Sequence, residues 1–137
     1  MPFNEINWIA VLVSAFVGYA IGAVWYMSLS NPWMAAAGLT KDMIKGKNDK
    51  QNPMPFIIAA IANIVMAMML FGILVHVGDP TPIRGIISAV FIWIGFVLTT
   101  LSVNNAYQMK PLRLTLIDGG HWLVNLVAQG AILGWFG

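Results

Sequence analysis

Long apolar segments separated by short polar stretches are the dominant pattern of this 137-residue chain. Charged residues are absent between Glu5 and Lys41, between Lys50 and Asp79, between Arg84 and Lys110, and after Asp118. Each of these gaps is long enough to hold a membrane-spanning helix of about 20 residues. The alternating pattern of a membrane barrel is missing, and isolated segments in lipid must satisfy their own backbone polar groups. The pattern therefore predicts helices.

The segments predict an all-α membrane protein that consists of a single domain with four transmembrane helices. The predicted spans cover approximately residues 8–29, 55–77, 83–107 and 114–136. Residues 30–54 form the largest loop, in which we expect two short amphipathic helices on the membrane surface. Asn31 and Pro32 can begin the first of these helices, Gly38 can end it, and Thr40 can cap the second.

Basic residues indicate how the chain is oriented. Six of its seven Lys and Arg residues lie in the first and third loops, which the positive-inside rule places in the cytoplasm. We therefore expect both termini outside the cytoplasm. Only 9% of the residues are charged and the net charge is +2, so the expected partner is the lipid bilayer and not nucleic acid.

The fourth predicted span differs from the others because it contains ionisable and amide residues within its apolar sequence. At about 100° per residue, one narrow side of this helix presents the residues that we call the polar stripe. The polar stripe consists of Asp118, His121, Asn125 and Gln129. Gly130 and Gly134 lie on roughly the opposite side, where their spacing is typical of a close helix contact.

Small and polar residues also indicate packing faces in the other three spans. These are Gly18 and Gly22 in the first span, Asn63 in the second and Thr99 in the third. Small residues let helices approach closely in lipid, and amide side chains can hydrogen-bond between helices. In the structural interpretation, Asn125 and Gln129 bond to Asn63 or Thr99 and add only stability.

The predicted topology brings the ends of spans one and three and the start of span four to the cytoplasmic side. The polar and aromatic residues at that depth are Trp25, Tyr26, Asn104, Asn105, Asp118 and His121. A polar cavity, if the protein has one, is expected there. Asp118 and His121 remain open to two interpretations. In the structural interpretation, Asp118 interacts with the helix N-terminus or with Arg113, and His121 bonds to Asp118. In the other, the pair has a function, because ionisable groups inside a membrane are costly.

No metal or cofactor site is predicted. The chain has no cysteine, and His76 and His121 lie at opposite ends of their spans, too far apart to bind one haem. Met66 and Met68 point to different sides of a helix, which argues against a copper site. The sequence also lacks a catalytic triad, a phosphate-binding loop and paired catalytic carboxylates.

Several short motifs follow one another in a fixed order along nearly the whole chain. They are Trp25-Tyr26, Trp33, Ala36-Ala37-Gly38-Leu39, Thr99-Thr100, Asn104, Pro111-Leu112-Arg113, Ile117, Gly120-His121 and Gly130-Ala131-Ile132-Leu133-Gly134. In this order they resemble a bacterial membrane family catalogued as domain of unknown function 1761. The resemblance implies a small four-span protein of the bacterial inner membrane and supplies no activity. Ser30-Asn31-Pro32 and His121 depart from the family pattern, so the resemblance implies no role for them.

These features lead to two functional hypotheses besides a purely structural role. The first is a non-enzymatic homo-oligomer or subunit of a membrane complex, because the polar and glycine sides of the fourth span require different neighbours. The polar stripe could then line a pathway for a small solute or an ion. The second is a membrane enzyme for a quinone-like or aromatic lipid-soluble substrate. His121 would be its acid or base, oriented by Asp118, with Trp25 and Tyr26 stacked on the substrate. The sequence favours the first.

Overall fold

A computed structural model describes residues 5–137, and this part of the chain consists of helices and their connections without a strand, which confirms the all-α part of the predicted fold class. The helices are α1 (Trp8–Ser28), α2 (Ser30–Ala37), α3 (Lys41–Lys45), a 3₁₀ turn (Lys47–Asp49), α4 (Met54–Val77), α5 (Pro82–Ile92), a π-helical segment (Trp93–Leu98), α6 (Thr99–Tyr107) and α7 (Leu112–Phe136). The segments from α5 to α6 form one continuous helix, called here the edge helix (Pro82–Tyr107). The structure thus has four long helices, in the four segments where the sequence predicts spans.

Three of the long helices, α1, α4 and the edge helix, are long and apolar enough to cross a membrane. They expose large hydrophobic side chains such as Phe16, Phe91 and Phe96 on their outer surfaces. A continuous apolar surface of this kind suits contact with lipid and not with water. The fourth long helix, α7, has 25 residues but interrupts its apolar sequence with the polar stripe.

The short helices of the first loop have the caps that the sequence predicts, with one difference at their start. Gly38 ends α2 with a φ of 74°, which glycine adopts at little cost, and the Thr40 side chain caps α3. However, α2 begins at Ser30, without an Asn31 cap. The backbone bonds from Leu29 N–H to the Trp25 carbonyl and from Trp33 N–H to the Leu29 carbonyl continue the helical pattern. A side-chain cap is therefore not needed there.

α7 lies at the centre of the bundle, where it contacts α1, α4 and the edge helix. Asn7 Nδ2 donates to the Phe136 carbonyl at 3.5 Å near one end, and Trp25 Nε1 donates to the Ile117 carbonyl at 3.0 Å toward the other. α1 and α7 therefore run antiparallel and side by side over most of their length. Lys110 Nζ donates to the Ala37 carbonyl at 2.8 Å, which places the first and third loops at the same end.

An apolar cluster fills the end of the bundle where α1 begins and α7 finishes. Its buried members are Ile6, Ala10, Val11, Ala67, Leu70, Phe71, Leu74 and Leu133. Gln129 lies one turn of α7 before Leu133 of this cluster, and Asn125 and His121 follow toward the loops that contain most of the basic residues. The interior is thus apolar at one end and contains buried polar residues along the rest of the α1–α7 contact.

Glycines bring α7 and the edge helix into backbone contact. A Cβ atom built on Gly85 would lie under 3.0 Å from the Gly130 carbonyl oxygen. One built on Gly134 would lie similarly close to the Thr81 carbonyl oxygen. Gly130 and Gly134 therefore pack within this chain, against the start of the edge helix. Together with the polar stripe, this contact gives both sides of α7 a neighbour in one protomer, which removes the packing argument for an oligomer.

The π-helical segment determines which side of the edge helix faces α7. Residues that face α7 are Gly85, Ala89, Trp93 and Asn105. A π-helix has more residues per turn than an α-helix, so it rotates α6 relative to α5. Thr99, which a uniform α-helical period places on a packing face, is exposed, and its Oγ1 donates to the Gly95 carbonyl of its own helix at 2.9 Å. The expected bond from Thr99 to the polar stripe is not formed.

Candidate functional site

The buried part of the polar stripe faces α1, whose small residues make room for it. The small residues of α1 and the polar residues of α7 each recur every four positions. Because the two helices are antiparallel, these residues face one another in successive pairs. These pairs are His121 with Gly22, Asn125 with Gly18, and Gln129 with Ser14. His121 is only 5% exposed, and Asn125 and Gln129 are completely buried.

Gly18 is the position where this fit is tightest. A Cβ atom there would lie under 3.0 Å from Asn125 Oδ1, Asn63 Oδ1 and Gln129 Nε2. At Gly22, by comparison, a Cβ atom would lie 3.0 Å from His121 Nε2. The glycine pair of α1 therefore accommodates polar side chains of α7 and α4, and does not provide a plain backbone contact.

A directional hydrogen-bond chain connects α4 to α7 across this region. Asn63 Nδ2 donates to the Ala59 carbonyl at 2.9 Å within α4. Asn63 Oδ1 then accepts from Asn125 Nδ2 at 3.0 Å and from Gln129 Nε2 at 3.3 Å. Gln129 Nε2 also lies 3.3 Å from the Ser14 carbonyl oxygen. All three amide nitrogens are thus used as donors.

Several buried polar atoms beside this chain lack a hydrogen-bond partner among residues 5–137. These atoms, called here the unpaired atoms, are Ser14 Oγ, His121 Nδ1, His121 Nε2, Asn125 Oδ1 and Gln129 Oε1. Leaving a buried polar atom unpaired costs about 1–3 kcal/mol. Polar residues that served only to join helices would be expected to satisfy one another. The unpaired atoms instead lie in one line along the α1–α7 interface.

Tyr26 lies at the loop end of this line and contacts three of the surrounding groups. Its hydroxyl donates to Asp118 Oδ1 at 2.6 Å. Its ring centroid lies 5.1 Å from that of His121 and 5.5 Å from that of Trp33, a residue of α2. Asp118 therefore pairs with Tyr26, and the described structure contains no hydrogen bond from Asp118 to His121. The expected Asp118–His121 pair is not formed.

The other residues expected at this depth are distributed over two sides of α7. Trp25 stays close to Tyr26, since its ring packs against Gly120 and its Nε1 donates to the Ile117 carbonyl. Asn105 is buried on the side of the edge helix, where its Nδ2 donates to Thr115 Oγ1 at 3.0 Å. Asn104 is exposed. The structure thus assembles Trp25, Tyr26, Asp118 and His121 and separates both asparagines from them.

Three residues of this region were not identified as site residues from the sequence. Ser14 supplies an unpaired hydroxyl, Trp33 covers Tyr26 from the loop, and Trp93 donates from its Nε1 to the Gly119 carbonyl at 2.8 Å. Ser14 shares the small-residue face of Gly18 and Gly22, which is the one signal that could have indicated it. The contacts of the two tryptophans depend on the loop fold and on the π-helical segment.

An open apolar groove of about 610 Å³ lies along α1 near these residues. Its lining residues are Phe16, Val17, Ala20, Ile21, Val24, Trp25, Ser28, Leu29 and Val124. Trp25 therefore borders a space that could hold an apolar molecule, but His121 lies outside the lining. Within residues 5–137, three or more His, Cys, Asp or Glu side chains are nowhere grouped as a metal site would require.

Comparison with known proteins places this architecture in a family. Residues 9–134 match the family described as "Protein of unknown function (DUF1761)". The chain belongs to the DUF1761 family. The match extends over all four long helices of this DUF1761 member, including the polar stripe and the Tyr26–Asp118 pair. No curated protein and no solved structure matches the chain.

Proposed function

We propose that this DUF1761 protein crosses the bacterial inner membrane four times, with both termini outside the cytoplasm. The antiparallel course of α7 beside α1 supports a fourth span, since the two helices extend over the same depth. The polar stripe faces inward, so it does not prevent α7 from lying in lipid. The basic first and third loops lie at one end, which the positive-inside rule assigns to the cytoplasm.

We infer that the α1–α7 interface forms part of a pathway for a small polar solute or an ion. The observation that supports this function is the line of unpaired atoms at Ser14, His121, Asn125 and Gln129. At 1.5 Å per residue, the distance from His121 to Gln129 along α7 is about 12 Å. This is over a third of a hydrocarbon thickness of about 30 Å. Polar residues at such depth are expected to face a partner or a solute.

The proposed pathway begins at the Tyr26–Asp118 pair and is closed at the far end by the apolar cluster. A solute that reached Gln129 would meet buried side chains such as Val11, Leu70 and Leu133. Passage across the whole membrane therefore requires α1 or α4 to move relative to α7. The described arrangement corresponds to a state that is closed toward the outside.

The enzyme hypothesis has less support from the geometry. An acid or base at His121 would need to reach the substrate, but His121 does not line the apolar groove beside Trp25. Asp118, its expected orienting partner, is bonded to Tyr26. A lipid-soluble molecule in the groove would therefore contact apolar side chains and neither member of the proposed catalytic pair.

Assembly with a second copy or within a larger membrane complex is a separate proposal, supported by the edge helix. Its exposed Gly95, Thr99 and Ser102 form a small, hydroxyl-bearing face that suits a close helix contact in lipid. Because the chain has no cysteine, Ser102→Cys and a control, Phe16→Cys on the outer face of α1, each introduce one reactive position. We expect disulfide-linked dimers in membranes for Ser102→Cys alone. Equal crosslinking of both variants would contradict this contact.

Proteoliposomes provide the test of the pathway. Purified protein is reconstituted, and the uptake of water, urea, ammonium and potassium is followed by stopped-flow light scattering. We expect at least one of these to cross faster than in protein-free liposomes, and Asn125→Leu to abolish the increase. Asn104→Leu, the same change at an exposed position of the edge helix, is the matched control that should conduct like the wild type. The pathway is contradicted if Asn125→Leu, folded and inserted, conducts as well as the control.

A further inference from the structure

We propose that Ser14, Asn125 and Gln129 bind a small neutral hydrogen-bond donor of about the size of water, and that this site excludes anions. The inference rests on the proposed pathway, since it names the chemistry of what the buried part of that pathway accepts. It follows from the direction of the hydrogen bonds in the region and from the kind of atoms that they leave unpaired.

The Ala59 carbonyl fixes the orientation of the first amide. A carbonyl oxygen can only accept a hydrogen bond, so Asn63 must present its NH₂ group to Ala59, at 2.9 Å. The Oδ1 atom of Asn63 is consequently turned toward α7. The orientation of this amide is thus set by the backbone of α4 and does not depend on the side chains of α7.

The orientation of Asn63 in turn fixes the two amides of α7. Asn63 Oδ1 is also only an acceptor, so Asn125 and Gln129 must direct their NH₂ groups toward it. Rotating either amide by 180° would place two oxygen atoms against each other. Asn125 Oδ1 and Gln129 Oε1 therefore cannot bond to Asn63 Oδ1, and these are the two amide atoms that lack a partner in the described chain.

The site is consequently rich in acceptors and poor in donors. Its three amide nitrogens are already engaged, and its unpaired atoms are two amide oxygens and the Ser14 hydroxyl. An O–H or N–H donor would satisfy these oxygens. An anion would face oxygen lone pairs, and the buried polar residues of 5–137 include no Lys or Arg to compensate it. The hydrogen-bond pattern therefore selects against negative charge.

The lack of acidic groups among these buried residues favours a neutral molecule over a cation. The buried polar residues of the described chain are Ser14, Asn63, Asn105, Thr115, His121, Asn125 and Gln129. A dehydrated cation at this depth would have no carboxylate to offset the loss of its hydration. A neutral donor loses far less on entering, because hydrogen bonds to the unpaired oxygens replace those to bulk water.

Infrared spectroscopy of the Gln129 carbonyl tests the inference directly. The chain has three glutamines, and Gln51 and Gln108 are both exposed. A Gln51→Ser/Gln108→Ser variant therefore leaves Gln129 as the single glutamine without altering the site. With ¹³C in the glutamine side-chain carbonyl, its stretching band in hydrated bilayers reports whether Gln129 Oε1 accepts a hydrogen bond. Gln51→Ser alone adds the Gln108 band as a reference for an amide in contact with water.

We expect the Gln129 band near the Gln108 reference, at the lower frequency of a hydrogen-bonded amide carbonyl, in both sodium and ammonium buffers. A band at the higher frequency of a free carbonyl overturns the donor site. A band that moves to the bonded position only in ammonium buffer overturns the neutral donor and assigns the site to that cation. A bonded band in a protein whose liposomes do not conduct leaves the site intact and contradicts only the pathway.

Discussion

α7 and the edge helix are of similar length but have opposite positions in the bundle. Eleven of the 25 residues of α7 are buried, whereas only Gly85, Ala89 and Asn105 are buried among the 26 residues of the edge helix. α7 contains the buried Asn125, Gln129 and His121, while the edge helix is highly apolar and exposes most of its side chains. α7 is less apolar than the edge helix and would be the poorer membrane span by itself, yet it is the helix that the others surround.

Lipid explains this arrangement better than water would. In water, the most apolar helix would be buried, because burial of apolar surface drives folding. In a bilayer, apolar side chains are as well solvated by lipid as by protein, so the arrangement of helices depends on polar groups and close contacts. Asn125 and Gln129 find acceptors only between α1 and α4, and this requirement places α7 at the centre.

The largest expected effect concerns the region where the backbones of the edge helix and α7 approach most closely. Gly85→Ala should lower the free energy of unfolding by about 3 kcal/mol or more, because its Cβ would overlap the Gly130 carbonyl and force the helices apart. Unfolding in mixed micelles measures this loss. Gly95→Ala is the matched control in the same helix, since within the described chain nothing lies within 4 Å of its Cβ position.

Gly95→Ala should be neutral or stabilising by up to about 1 kcal/mol, because alanine is the better helix former. If both alanine variants are equally destabilised, Gly85 does not pack more closely against α7 than Gly95 does. The placement of the π-helical segment would then have to be revised.

A smaller effect is expected on the polar side of α7. Gly18→Ala should destabilise the protein by about 1–3 kcal/mol, because its Cβ would crowd the Asn63 and Asn125 side chains. Gly22→Ala should cost less, since only the His121 ring is near and a shift of a few tenths of an ångström relieves the contact. Thermal unfolding of both variants in detergent gives the comparison. A larger loss for Gly22→Ala would contradict the pairing of α1 with the polar stripe.

The smallest of the three effects is expected when the loss of a buried asparagine is compared with the loss of an exposed one. Asn63→Ala removes the acceptor shared by Asn125 and Gln129 and should cost about 1–2 kcal/mol. Asn104→Ala, at an exposed position of the edge helix, should change stability by less than about 0.5 kcal/mol. Both values follow from chemical denaturation in micelles. Equal effects would show that the amide chain between α4 and α7 does not hold the bundle together.

Much of the candidate site followed from helical periodicity, and the parts that did not have identifiable physical reasons. The polar stripe and the Gly18–Gly22 face each keep a regular α-helical period, so their residues could be grouped from spacing alone. Thr99 could not be placed, because the π-helical segment before it rotates α6 without a recognisable sequence signal. The partner of Asp118 is Tyr26 of another helix. The spacing of residues along one helix does not predict the distance between side chains of two helices.

The sequence by itself determined the properties that depend on composition and period. These are the helical class, the positions of the four long helices, the grouping of the basic loops and the side of α7 that is polar. Each follows from local chemistry, because a helix in lipid must bond its own backbone and its side chains repeat every 3.6 residues. The tertiary structure alone decided that both sides of α7 have neighbours within one chain. It also decided that the amides of α7 bond to Asn63 through their nitrogens and leave their oxygens unpaired, because such contacts join helices that lie far apart in the sequence.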